Sequence, residues 1–214
     1  MTELILIRHG ETAWNAEKRM QGHLDIALNA RGLRQAAALG RALRDQSIGA
    51  IISSDLQRAM QTAQAIALPH GIPIATDAGL RERCFGVFEG LLYADLERSH
   101  PAAYHAWRSR ELGTRYPPGV NQAETLQEFS DRVLGTIHRL AGASAHPTLA
   151  VVTHGGVLEC IYRAATGTSL RQARDFDLLN ASINRVHWTP AGMRIIHWSD
   201  VTHLADTAHD EARP

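Results

Sequence analysis

Three short apolar runs constrain this chain more than any other feature: Leu4 to Ile7, Ala50 to Ile52 and Leu149 to Val152 are continuously apolar rather than alternating. Continuous runs of this length suit strands covered on both faces, as in the parallel sheet of an α/β fold; a sheet with one wet face would alternate. Parallel neighbours need long crossovers, and the segments between the runs carry helical periodicity. Asn29 is placed to cap a helix over about 30–45 that turns Leu33, Ala36, Ala37, Gly40, Leu43 and Arg44 to one face. Ser54 or Asp55 is placed to cap a second, with Leu56, Ala59, Met60, Ala63 and Ile66 inward and Pro69 and Gly71 at its end. A third, over about 124–140, directs Leu126, Phe129, Val133, Ile137 and Leu140 inward, and a fourth, over about 156–165, stops at Gly167.

The period changes near the C-terminus. Ile183 to Trp188, the turn Thr189-Pro190-Ala191-Gly192 and Met193 to Trp198 read as an antiparallel hairpin at a sheet edge. The expected fold is therefore α/β, a three-layer sandwich with a mostly parallel central sheet flanked by helices and one antiparallel C-terminal hairpin. Residues 1–205 read as a single domain and the polar residues 206–214 as a frayed tail. The stretch 81–123 is the least regular, broken by Pro101, Pro117, Pro118 and Gly119, and about 91–123 reads as a lid-like insertion that covers a site rather than building the core.

Composition removes several alternatives. In 214 residues, 44% apolar content and a formal charge of zero exclude a disordered chain, and 22 basic against 22 acidic residues argue against a general nucleic-acid binder, which shows a basic excess. Cys84 and Cys160 lack the spacing of a zinc knuckle or a disulfide framework. No run of about 18 apolar residues and no signal-like N-terminus is present, so a cytoplasmic location without a membrane partner is expected. All the basic residues except Lys18 are arginine, most of which read as ordinary surface residues.

Ligands in open α/β sheets bind beyond the carboxyl ends of the strands. Here those ends read Arg8-His9-Gly10-Glu11-Thr12, then Ser53-Ser54-Asp55 with Arg58 following, then Thr153-His154-Gly155-Gly156. Composition alone gives about 0.1 expected Arg-His-Gly tripeptides, so the tripeptide matters chiefly through its place after a buried-type strand, matched by a second His-Gly after another. A neutral imidazole is a nucleophile, and a phosphoryl group is an electrophile whose oxygens need neutralising as the bond forms. Arg8 and Arg58 supply forked donors, the latter in the first turn of a helix whose N-terminus also favours an anion.

The stretches LILIRHGETAWN with Met20-Gln21-Gly22, SSDLQRAMQTA (53–63), LRERCFGVFEG (80–90) and VVTHGGV (151–157) together resemble the histidine phosphatase superfamily, which includes the cofactor-dependent phosphoglycerate mutases. The resemblance implies that His9 becomes phosphohistidine and that Arg8, Arg58 and His154 form the phosphate clamp. It implies that Glu82 protonates the leaving oxygen and then activates water, or returns the phosphoryl group. On this reading Arg81 and Arg83 face away from Glu82 so as not to hold it ionised. Thr12, Asn15, Gln21 and Gly22 match positions lining the phosphate and substrate pocket, and Gly10, Gly155 and Gly156 match close backbone packing under the phosphate. Trp14 reads as core, Cys84 as a buried thiol rather than a redox sensor. Tyr104, His105, Trp107, Arg108 and Arg110 are candidates for touching the non-phosphate part of a substrate.

The expected function is a metal-independent phosphomonoester hydrolase acting on a small phosphorylated metabolite. The alternative is a phosphoglycerate mutase, with 2,3-bisphosphoglycerate as primer; a phosphate-binding protein without turnover ranks third. Phe85-Gly86-Val87-Phe88-Glu89-Gly90 looks like the shorter phosphatase branch, whereas Ser130-Asp131-Arg132-Val133 and Asn180-Ala181-Ser182 are shared with short bacterial members called mutases. No cofactor and no metal are expected: close ligand pairs such as HxH or HExxH do not occur, and His187, His197 and His203 lack ligand spacing. The sequence leaves the substrate and the oligomeric state, a homodimer included, open.

Overall fold

The computed structural model describes residues 1–204; the segment expected to fray, 206–214, lies outside them. Six strands form one sheet: β1 (Thr2–Arg8), β2 (Ala50–Ser53), β3 (Ile74–Thr76), β4 (Thr148–Thr153), β5 (Ile183–Thr189) and β6 (Gly192–Asp200), in the order β3-β2-β4-β1-β5-β6. The first four are mutually parallel, and β5 and β6 add an antiparallel hairpin beside β1. The mixed α/β sheet agrees with the sequence reading. β3 was not foreseen: only three residues long and following Pro73, it carries no periodicity of its own.

The apolar runs are covered on both sides, which is why they do not alternate. Ile5, Ile7, Ala150 and Val152 pack on α2 (Ala30–Leu43) and α3 (Gln57–His70), while Leu4, Leu6, Leu149 and Val151 pack on α6 (Leu126–Gly142) and α7 (Gly155–Thr166). Full burial of each such side chain contributes about 1.5–3 kcal/mol. A third apolar cluster lies apart from these, joining Met20 and Phe88 to Leu96 of α4 (Leu96–Ser99), Ala106 of α5 (Pro101–Arg108), Tyr116 and Ala123. The 91–123 stretch thus has a small core of its own beneath its broken helices.

Two local readings are corrected. In α2 the inward face is Ala36, Leu39, Gly40 and Leu43; Leu33 is 51% exposed, and Ala37 and Arg44 are exposed as well. The cap of α3 is Leu56, which makes no side-chain cap bond, because Ser54 and Asp55 bond elsewhere. The caps of α2 and α6 follow the usual chemistry: Asn29 accepts from Gly32 N, and Thr125 with Glu128 forms a reciprocal capping box. Among the described residues no helix is long and apolar enough to cross a membrane.

Candidate active site

The site is set by strand register. β1 and β4 run parallel with Arg8 opposite Thr153, so the next residues, His9 and His154, leave the sheet side by side. His9 N donates to Thr153 O (2.9 Å), and the imidazole centroids lie 5.1 Å apart at 60°. The end of β2, on the other side of β4, brings Ser54 within 2.8 Å of His154 Nε2. Arg58, in the first turn of α3, reaches the same place and donates from Nε to His154 Nδ1 (3.2 Å). Arg8, His9, Arg58 and His154 are all essentially fully buried.

These contacts fix the tautomers. His9 Nδ1 faces Gly10 O at 2.7 Å, and since a carbonyl only accepts, Nδ1 carries the proton and Nε2 keeps its lone pair. His154 Nδ1 accepts from Arg58, so Nε2 carries the proton and donates to Ser54 Oγ. Burial, then Arg58 and Arg8, push His9 well below its ordinary pKa of 6.5. Burial, Arg58 and His9 do the same to His154. Both rings are neutral because a second positive charge there would be dehydrated and beside guanidinium groups.

The remaining candidates frame this centre. Arg58 donates to Gly22 O (2.8 Å) and Leu24 O (2.9 Å), which ties the Gln21-Gly22 turn to the histidine pair. Gly22 has φ +54°, and a Cβ there would fall 2.0 Å from Glu89 Oε1. Thr12 caps α1 (Ala13–Ala16) reciprocally with Asn15, and its hydroxyl lies 3.0 Å from Gln21 Oε1. Gly10 packs against the backbone of Gly32 in α2 and donates its N–H to Thr62 Oγ1 (3.1 Å). Gly155 begins α7 directly after His154.

Glu82 is buried, and its carboxylate accepts from Arg83 N (2.7 Å) and from Gly156 N (2.9 Å) in the first turn of α7. A Cβ on residue 156 would lie 2.2 Å from Glu82 Oε1, so only glycine allows this approach. Beside Glu82 lies a cavity of about 70 Å³. Phe85, Trp107 and Phe129 supply its apolar wall, and Arg83, Arg110 and Glu159 its polar one.

Arg81 does turn away, pairing with Asp55 (2.6 Å), but Arg83 does not. It is 5% exposed, lines the cavity with Glu82, bonds to Glu124 O and lies over the Tyr116 ring at 4.8 Å. Trp14 is half-buried rather than core. Trp107 and Arg110 line the cavity, whereas Tyr104 lies tilted against the Trp107 ring at 5.8 Å, and His105 and Arg108 are exposed. Burial raises the Cys84 thiol to about 12, far from the range of a reactive thiolate.

Several contributors escaped the sequence reading. Asn180 donates to His9 O (3.1 Å), and His23 Nε2 lies 2.7 Å from Glu82 O. Ser54 anchors His154, and Glu124 with Arg132 holds the segment around Glu82. Ser54, Asn180 and Arg132 sat inside recognised motifs and could have been named from them; His23 and Glu124 had no such signal.

Comparison with known proteins identifies the family. The family model of the histidine phosphatase superfamily (branch 1) matches residues 4–201. The metal-independent phosphoserine phosphatase of Arabidopsis thaliana is 38% identical over 207 residues, covering 96% of this chain and 84% of the relative. The phosphoglycerate mutase-like protein 4 of the same plant is 37% identical over 208 residues, covering 96% and 88%. Among solved structures, Bacillus stearothermophilus YhfR superposes with a TM-score of 0.86 at 30% identity, covering 95% of this chain and 99% of its own.

Proposed function

This chain belongs to the histidine phosphatase superfamily, and on that premise we propose that it hydrolyses small phosphorylated metabolites through a phosphohistidine at His9. The observation that carries the reading is the oriented His9, whose Nδ1–H is spent on Gly10 O so that the Nε2 lone pair is the reactive one. In the first half-reaction Nε2 attacks phosphorus, the P–O bond to the alcohol breaks, and the leaving oxygen takes a proton from Glu82. The ring becomes cationic as it is phosphorylated, and the Gly10 carbonyl stabilises the Nδ1–H that remains. Arg8 and Arg58 neutralise the phosphoryl oxygens, the contribution that dominates phosphoryl transfer, and the neutral His154 adds a hydrogen bond when its Nε2–H turns from Ser54 Oγ to a phosphoryl oxygen. In the second half-reaction the Glu82 carboxylate takes a proton from water, the oxygen attacks phosphorus, and the P–N bond breaks to release phosphate and free His9.

Every step is supplied by side chains and water, which accords with the metal-independence in the name of the Arabidopsis phosphatase. The substrate we assign is a small phosphomonoester whose alcohol part enters the cavity beside Glu82. The mutase-like relative supports a second reading, in which the phosphoryl group returns to a bound sugar acid and 2,3-bisphosphoglycerate primes His9.

Rapid acid-free quenching with a 32P-labelled monoester should trap a base-stable, acid-labile label on His9, and His9→Ala should lose at least about 10³-fold in kcat. EDTA should leave turnover unchanged. Absence of label, or loss on chelation with recovery on adding zinc, would overturn the phosphohistidine reading. Sugar-acid isomerisation with almost no phosphate release would select the mutase instead.

A further inference from the structure

Arg132, in the Ser130-Asp131-Arg132-Val133 motif, projects from α6 toward the backbone that carries Glu82. A guanidinium has five N–H donors. Arg132 makes five contacts with them: Nη1 donates to Gly79 O (2.9 Å) and Arg81 O (3.0 Å), Nη2 to Glu82 O (3.1 Å) and Glu124 Oε2 (2.7 Å), and Nε to Glu124 Oε1 (2.7 Å). Glu124 extends the grip, since its Oε2 also accepts from Cys84 N (2.9 Å) and its carbonyl oxygen accepts from Arg83 Nη2 (2.9 Å). Burial works against ionising Glu124, yet the Arg132 guanidinium holds its carboxyl below the ordinary value. Residues 79, 81, 82 and 84 therefore hang from one ion pair on and beside α6.

We propose that Arg132, braced by Glu124, is the positioning residue of the acid: by binding the carbonyls of residues 79, 81 and 82 it fixes where the Glu82 carboxyl meets the leaving oxygen. It touches neither substrate nor the reacting atoms. Proton transfer needs heavy atoms about 2.6–3.2 Å apart, and a misplacement of about 1 Å costs on the order of 10²-fold. The Glu82 carboxylate accepts from the main-chain amides of Arg83 and Gly156, so a shift of the backbone at residues 82 and 83 shifts the carboxylate with it. Lysine cannot replace the fork, because one ammonium cannot bridge a bidentate carboxylate and a row of carbonyls together.

The proposal rests on Glu82 being the proton donor, and leaving-group dependence tests the two separately. In the full-length protein, Arg132→Gln should lower kcat/KM for an alkyl phosphate about 100-fold while changing p-nitrophenyl phosphate, whose leaving group needs no acid, by less than about 3-fold. Arg132→Lys, which keeps a cation beside Glu124, should show the same split at smaller size and serves where Arg132→Gln does not fold. Adding either variant to Glu82→Gln should change the alkyl phosphate rate less than about 2-fold, because the group being positioned is already gone. Equal losses on both substrates, or losses that multiply with Glu82→Gln, would overturn the positioning role. If Glu82→Gln alone shows no split, the acid assignment and this proposal fall together; if it does and Arg132→Lys does not, this proposal alone falls.

Discussion

His9 and His154 have to be buried, close together and beside two arginines, and those three conditions have one common result: neither ring accepts a proton at the pH where a free imidazole would. Burial also lowers His23 and His203. The unfolded chain gains protons on these side chains as pH falls below about 6.5, whereas the folded chain does not, so stability must fall with pH from there toward the lower folded values. Each group contributes up to about 1.4 kcal/mol per pH unit within its window. The depressed carboxylates, Asp55, Glu124 and Asp200, act in a separate window below the ordinary carboxylate range. Urea unfolding at pH 7.5 and 5.5 should therefore show lower stability at 5.5, and His9→Asn should reduce that difference; equal stability at both would contradict the burial of neutral rings. At this scale the sequence showed the groups to which we assign the chemistry, because Arg8, His9 and His154 directly follow apolar strand runs and Glu82 sits in a motif. His23 and Glu124 stayed hidden because they act on backbone atoms brought near only by the folded chain.

Among elements, legibility tracked how many large apolar side chains mark the buried face. The strands were plain because continuous apolar runs have few other uses, and α6 was plain because Leu126, Phe129, Val133 and Ile137 recur at helical spacing amid polar residues. In α2 the run Ala36-Ala37-Ala38-Leu39-Gly40 has one large side chain among small residues, so the expected face runs through Leu33 instead of Leu39. The sheet decides it by presenting Ile5 and Ile7 to Leu39 and Leu43. Leu39→Ala should accordingly cost about 2–5 kcal/mol, as a buried leucine does, whereas Leu33→Ala should stay within about 0.5 kcal/mol. Chemical denaturation of the two variants measures this, and comparable losses would restore the face expected from periodicity. The short β3 and the cap of α3 were illegible for a different reason: each depends on a contact made by a distant segment rather than on its own residues.

The whole molecule gathers its site from ends of the chain that are far apart. Asn180 holds the carbonyl of His9 across 171 positions, and Arg8 donates to Leu178 O just before the strand β5 that flanks β1. A chain cut after residue 176 keeps His9, Arg58, Glu82 and His154 but loses both contacts and one neighbour of β1. Its turnover of p-nitrophenyl phosphate should fall below about 1% of the intact chain, as expected when a 10²-fold penalty follows from misplaced reacting groups. Activity above about a tenth would show that the hairpin is dispensable to the site. This latch also has a meaning in time. Asn180 is made 171 positions after His9, and at roughly 5–20 residues per second the growing chain spends about 9–34 s with His9 already made but not yet held. Turnover of a phosphate ester by a growing chain is therefore expected only after the segment around Asn180 has docked, so that activity reports the closing of this latch.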